Sequence, residues 1–339
     1  MTASLRVESA APASWPRERR WLRAGGQALA FAVIGGLLFL MFHMTSANLA
    51  ARGVRSGFAF LSEPAKTPVS EAPIEVRPGV DSYARVFVAG ALNSLKLAAA
   101  TLVAATLVGL GVGLGRLSPN ALARTLCAGY VEIMRNVPVL LHVFFWYGLI
   151  LGLPTPAEAA SPGDLLLLSN RGIYLAWPDV DPSGHWSLLR PAIDGFEVKA
   201  GLSVSPEFAA LFIGISLYAA AFVAEIVRAA IGSLPRGQWE ATSALGLSHA
   251  TTLWRVVFPQ ALRIAVPPLT SEYVGIFKNS TLAVAIGYQD FMAISNTMLT
   301  DTGQSVEVMA IVMGFYAAVS LVVSGAMHLF GHRQTRWSL

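Results

Sequence analysis

Residues 236–263 read RGQWEATSALGLSHATTLWRVVFPQALR, and this stretch decides how the rest of the chain is understood. It is polar, yet apolar runs lie close on both sides of it. Its pattern predicts two short helices, over 238–245 and 250–258. Gly246 supplies the break between them, because glycine adopts left-handed backbone angles at little cost. Ser248 is placed to cap the second helix. Pro259 is expected to end it, since proline brings no amide proton to an interior turn.

The composition explains what flanks this stretch. Of 339 residues, 54% are hydrophobic and 13% charged, where soluble domains carry about 25% charged residues. A mean hydropathy of +0.56 over this length points to a polytopic membrane protein. The net charge of +4 is too mild to suggest a nucleic-acid surface. A single cysteine, Cys127, excludes an internal disulfide.

Six apolar spans are expected, at 24–44, 87–115, 136–157, 208–231, 267–287 and 308–332. Arg17, Arg19, Arg20 and Arg23 precede the first, and Arg333 and Arg336 close the last. The positive-inside tendency therefore puts both ends in the cytoplasm, with Trp15, Trp21 and Trp337 near headgroup level. The first span could be read as a cleaved signal peptide, but its apolar part is long and no small-x-small cleavage site follows Met44 directly. It is expected to be a retained helix. Gly109, Gly111, Gly113 and Gly115 form two Gly-x-x-x-Gly pairs, which suit close helix packing in lipid. The segment 153–206 is rich in Pro, Gly, Asp and Ser, with six acidic and three basic residues, and reads as an outer loop. It is either a docking contact on the outer face or a passive insertion.

Charged and polar residues on the spans are the next candidates. Glu132 and Arg135 are three apart, so they share a helix face and suit a local ion pair. Glu272, Lys278, Asn279, Ser280 and Thr281 lie on the fifth span. Charge at membrane depth faces a bundle interior or a water-filled path. Counted from Pro268, Lys278 is ~15 Å along a helix, near mid-membrane. It either lines a path or gate or pairs with a partner chain. Glu272 and Lys278 are six apart and point to different faces.

Enzyme chemistry finds no footing. None of the four lysines, Lys66, Lys96, Lys199 and Lys278, follows a glycine, so the sequence carries no phosphate-cradling P-loop. The six histidines show no metal spacing, and no nucleophile elbow or carboxylate pair appears. No cofactor or metal is implied. Residues 240–257 also resemble a helix-turn-helix, but the flanking spans leave little room for a duplex.

Glu240-Ala241-Thr242, three residues, Gly246, nine residues, then Val256-x-Phe258-Pro259 resembles the EAA motif of bacterial ABC importer permeases. Gly237-Gln238-Trp239-Glu240-Ala241, Leu245-Gly246-Leu247-Ser248, Pro259-Gln260-Ala261-Leu262-Arg263, Lys278-Asn279-Ser280-Thr281-Leu282-Ala283 and Val131-Glu132-Ile133-Met134-Arg135-Asn136-Val137-Pro138 are similar to the polar amino-acid branch, closest to general L-amino-acid permeases. The departures are Thr242 for Ala and Phe258 for Leu.

The resemblance implies an all-α integral membrane protein, a type I importer bundle of about six transmembrane helices with a cytoplasmic coupling-helix loop. The implied organisation is a cytoplasmic tail 1–23, a first helix 24–44, a periplasmic loop 45–82, a permease domain 83–333 with the insertion 153–206 and coupling loop 232–263, and a tail 334–339. Gln238, Glu240, Ala241, Gly246, Leu247, Ser248 and Pro259 would engage an ATPase. Glu132, Arg135, Glu272, Lys278, Asn279, Ser280 and Thr281 would serve a translocation path or gate, and Glu132 with Arg135 a polar hinge facing the partner permease. Expected partners are a second similar permease (heterodimer or homodimer), two ATP-binding subunits, a periplasmic solute-binding protein, an amino-acid substrate and the lipid bilayer, and no nucleic acid. The competing function classes are an ion-coupled carrier, an integral-membrane enzyme and a membrane-anchored DNA-binding regulator.

Overall fold

The computed structural model describes residues 17–51, 57–159, 165–180, 184–194, 197–199 and 201–336. Trp15 and Trp337 lie outside them. The chain divides into two units, Met1–Gly57 and Phe58–Leu339. Among the described residues the first holds one helix, α1 (Arg17–Ala51), whose stretch Gly25–Thr45 is long and apolar enough to cross a membrane.

The second unit is a helical bundle. Its long helices are α2 (Tyr83–Gly115), α3 (Ala121–Asn136), α4 (Val139–Leu151), α5 (Pro206–Gly232), α8 (Phe258–Asn279) and α10 (Ser305–Arg336). Short helices α6 (Arg236–Ala244) and α7 (His249–Thr252) form the polar loop, and α9 (Phe291–Thr302) precedes α10. α2, α5 and α10 meet the length and hydropathy of a span, and α3 with α4 forms one more, bent by 102°. The bend sits at Val137, which is extended (φ −98°, ψ 130°) because the ring of Pro138 excludes helical angles for the residue before it. The expected third span, 136–157, is therefore corrected: helix begins at Ala121, before the break.

α5 is the central helix, packed on α2, α3, α4 and α8. Arg116, at the end of α2, meets Glu225 near the end of α5, while Lys96 of α2 lies over the Phe208 ring at the start of α5. The two helices therefore run parallel. The polar loop closes one end of the bundle. The opposite end carries the segment 58–82 and the insertion, and α8 joins the two ends.

The α2–α5 seam depends on two glycines. A Cβ on Gly109 would stand 2.6 Å from Val223 Cβ and 2.8 Å from the Ala220 carbonyl, and one on Gly113 would stand 2.9 Å from the Ala224 carbonyl. Gly111 faces open space. Gly109→Ala is therefore expected to destabilise the detergent-solubilised protein by about 1–3 kcal/mol, as overpacking does, and Gly111→Ala to leave its melting temperature unchanged.

The insertion, expected to be a loop, carries short strands. Its strands are β1 (Leu166–Ser169), β2 (Gly172–Leu175), β3 (Trp177–Val180), β4 (Trp186–Leu189), β5 (Ala192–Asp194), β6 (Glu197–Lys199) and β7 (Leu202–Val204). They make one antiparallel sheet ordered β1-β2-β7 and two hairpins, β3-β4 and β5-β6. Ser169 pairs with Gly172, so Asn170 and Arg171 form a two-residue turn. β-prone Leu, Ile and Tyr beside this turn outweigh the loop-like composition.

Two proline expectations are also corrected. Pro259 does not stop a helix; it lies in the first turn of α8, directly after the π turn Leu253–Val257. Pro267 and Pro268 do not begin a span but lie inside α8. The helix starts at Phe258, so Lys278 stands ~30 Å along it rather than ~15 Å. It occupies the last turn, where the helix dipole favours a cation.

Candidate functional site

The polar loop is built to hold one face and offer the other. Gly246 takes φ +71°, and the Leu247 amide donates to the Thr242 carbonyl at 3.1 Å, closing α6 in a left-handed turn. Ser248 Oγ accepts from the Thr251 amide at 3.2 Å and caps α7. From Thr252 the chain passes through one wide π turn, Leu253–Val257, straight into α8. The loop is therefore joined to α8 without a flexible linker.

Its anchors face the bundle. Trp239 and Leu253 pack against the α5–α8 core, which includes the fully buried Val257. The rings of Trp239 and His249 stack at 5.2 Å, holding α6 to α7. Gln260 Nε2 donates to Gln238 Oε1 at 3.2 Å and to the Val256 carbonyl at 2.9 Å, tying α6 to the base of α8. The Thr242 hydroxyl, buried where the motif has Ala, donates to the carbonyls of Gln238 and Trp239, so this departure leaves no polar group stranded.

The other face is exposed. Glu240, Ala241, Gly246, Leu247 and Ser248 all reach the surface. Leu245 is 77% exposed and Trp254 51%. Beside the loop, Glu225 bridges Arg116 of α2 and Arg228 of α5. This clamp joins the two helices at the end where the loop is attached.

The remaining site residues fall into two places. Arg135, at the end of α3, lies over the Phe222 ring at 5.0 Å and within electrostatic reach of Glu272 on α8. Tyr218 of α5 stands near both charges, with the buried His142 ring 5.8 Å from it. This polar group sits beside the α3–α4 bend. Glu132 does not pair with Arg135 among the described residues; it accepts from Asn136 Nδ2 at 3.3 Å. The expected local ion pair is thus corrected, because Arg135 turns toward α5 and α8. Lys278, Asn279, Ser280 and Thr281 lie apart, at the far end of α8. The Ser280 hydroxyl donates to the Phe277 carbonyl and that of Thr281 to the Lys278 carbonyl, closing the helix end. Lys278 is exposed and makes no ion pair with Glu272 among the described residues.

The family of binding-protein-dependent transport system inner membrane components matches residues 105–336. The chain belongs to this family. Its curated relatives include the putative amino-acid ABC transporter permease protein YhdX of Escherichia coli K12, 38% identical over 94% of each chain. Another is the general L-amino acid transport system permease protein AapQ of Rhizobium johnstonii, 34% identical over 90% of each. Among solved structures, the crystal structure of an amino acid ABC transporter with histidines shares the fold, with a TM-score of 0.54 and 24% identity over 74% of this chain and 95% of that one.

In this inner-membrane transport component, sequence reading missed Tyr218, Phe222 and Arg116. Tyr218 and Phe222 are ordinary aromatics on an apolar span, and only the α3–α4 bend brings Arg135 to them. Arg116 has its partner, Glu225, 109 residues away. His328 and His332, one helical turn apart, approach to 3.0 Å, with no third metal-ligating side chain grouped with them among the described residues.

Proposed function

We propose that this chain is the permease subunit of an ATP-driven importer that carries amino acids from the periplasm into the cytoplasm. It works with a second similar permease, two ATP-binding subunits and a periplasmic solute-binding protein, in a homodimeric or heterodimeric core. Both termini and the polar loop face the cytoplasm. The single observation that carries this reading is the two-faced loop. Trp239, Leu253 and Gln238 hold it to α5 and α8, while Glu240, Leu245, Gly246 and Leu247 stand free for a partner.

Mechanically, Glu240, Ala241, Leu247 and Ser248 seat in a groove of the ATPase. Pro259 sets the angle at which α8 leaves the loop. When two ATPase subunits close, the loop moves and α8 tilts with it, because the π turn gives no slack. Substrate passes the polar group around Arg135 and Glu272, and Lys278 to Thr281 stand at the outer end of the same helix. The amino-acid assignment draws on the names of YhdX and AapQ.

The test is reconstitution in liposomes with the two ATPases, the second permease and the binding protein. Uptake of labelled L-amino acids is expected only with ATP inside the compartment that holds the loop. Uptake by this chain alone, driven by an ion gradient, would establish the carrier reading instead.

A further inference from the structure

We propose that His328 and His332, near the end of α10, form a two-ligand site for a divalent transition-metal ion of the Zn²⁺, Ni²⁺ and Cu²⁺ class. The site goes beyond the transport function and does not depend on it. It lies at the end of the bundle that carries the polar loop, where Met327 and Phe330 line a cavity together with Phe258, the first residue of α8.

The helix sets the geometry. The two histidines stand four apart on α10, so they project from one face, one turn apart. Their Nε2 atoms approach to 3.0 Å, with the ring planes at 88° and the centroids 4.3 Å apart. Imidazole nitrogens bind Zn²⁺ at about 2.0–2.1 Å, which places two of them about 2.8–3.4 Å apart for ligand angles of about 90–109°. The observed spacing falls in that interval. The backbone therefore needs no rearrangement, and only the two rings turn to aim at a shared ion.

Both residues are exposed, so an ion and its waters can reach them. Among the described residues, each Nε2 has the other as its hydrogen-bond partner. That bond is one proton held between two ligand atoms. An ion replaces it when the donor ring carries its proton on Nδ1 instead of Nε2. Both rings then stay neutral, no proton is released, and both Nε2 lone pairs go to the metal.

The ligands select the ion. Neutral imidazole suits Zn²⁺, Ni²⁺ and Cu²⁺, whereas Mg²⁺ and Ca²⁺ take oxygen ligands. No third His, Cys, Asp or Glu joins the pair among the described residues, so waters fill the remaining positions. The site is open and exchangeable, unlike a closed structural zinc site. This is why the spacing did not stand out in the sequence, where sets of three or four ligands are the recognisable pattern. The nearby helix end favours a cation through its dipole, and Arg336, one turn beyond His332, opposes it.

The same turn packs on α8. Gly331 precedes His332, and a Cβ on it would stand 3.3 Å from Val266 Cγ1, directly before Pro267. An ion shared by the two histidines braces the turn of α10 that rests there.

The purified full chain, carrying an affinity tag without histidines, tests this. Calorimetric titration should show one ion per chain, with Cu²⁺ tightest, as the usual order of these metals requires, and no binding of Mg²⁺. Electron paramagnetic resonance of the Cu²⁺ form should show two imidazole nitrogens on the metal. Losing even a supporting partner of a metal ligand costs about 10–100-fold in affinity. His328→Ala and His332→Ala, which remove ligands, should therefore each weaken Cu²⁺ binding at least about tenfold. Zn²⁺ should raise the melting temperature of the parent and not of either variant. His43→Ala and His185→Ala should bind as the parent does.

The proposal is overturned if the folded chain binds none of the three ions, if the spectrum shows a single nitrogen ligand, or if either alanine variant at 328 or 332 binds as tightly as the parent. It is also overturned if binding follows His43 or His185 instead. The spectrum of the parent needs no variant and decides alone should one misfold.

Discussion

Gly246→Asp is expected to abolish ATP-driven uptake while leaving the bundle folded. Gly246 holds φ +71°, a region that costs an L-residue about 1–2 kcal/mol. A side chain there would meet nothing within 4 Å, so the change does not disturb bundle packing. It instead distorts the turn between α6 and α7 and places a carboxylate on the exposed face of the loop. Glu240→Lys acts on the same face by reversing a charge. Both variants should lose uptake at least about tenfold, a coupling loss of ~1.4 kcal/mol or more, with melting temperatures within a few degrees of the parent. Gly246→Ala should fall between them and the parent, since it brings the backbone strain without the charge. Unchanged uptake and unchanged ATPase stimulation in both charged variants would refute the coupling role of the loop.

The second large effect is expected at the α3–α4 bend. Arg135 and Glu272 come from different helices and lie within each other's field, over an aromatic floor of Phe222 and Tyr218. Arg135→Glu puts a second carboxylate in the field of Glu272 and removes the cation from the Phe222 ring. Uptake should fall about tenfold or more, as like charges in a confined site cost more than ~1 kcal/mol. The exchanged pair, Arg135→Glu with Glu272→Arg, should recover part of that loss. Equal loss in the single and double variants would mean that the two side chains act independently. Lys278→Ala gives a separate reading at the outer end of α8. Lost uptake with assembly intact places Lys278 on the path, and lost assembly places it against the second permease.

What the sequence made legible was local. Gly246 and Ser248 could be assigned because a left-handed break and an N-cap depend on neighbours two or three residues away. The apolar runs of α1, α2, α5 and α10 were legible from composition alone. The prolines were harder, because one residue type both closes a helix and opens the next. Pro259 opens α8, Pro267 and Pro268 ride within it, and Pro138 produces the bend that turns a single expected span into α3 and α4. The depth of Lys278 followed the misplaced start of α8. Other features were invisible because they join distant segments. Arg135 reaches α5 and α8 through the bend. The β-sheet insertion arises from short hydrophobic runs inside a Pro- and Gly-rich stretch.

The side of the membrane on which the loop lies is the most direct measurement. Leu245→Cys, in a Cys127→Ser background that removes the native cysteine, places one reactive thiol on the exposed face of the loop. A membrane-impermeant maleimide should label it in inside-out vesicles and not in intact spheroplasts, and the ATPase subunits should protect it. Labelling from outside in spheroplasts would contradict the coupling mechanism altogether.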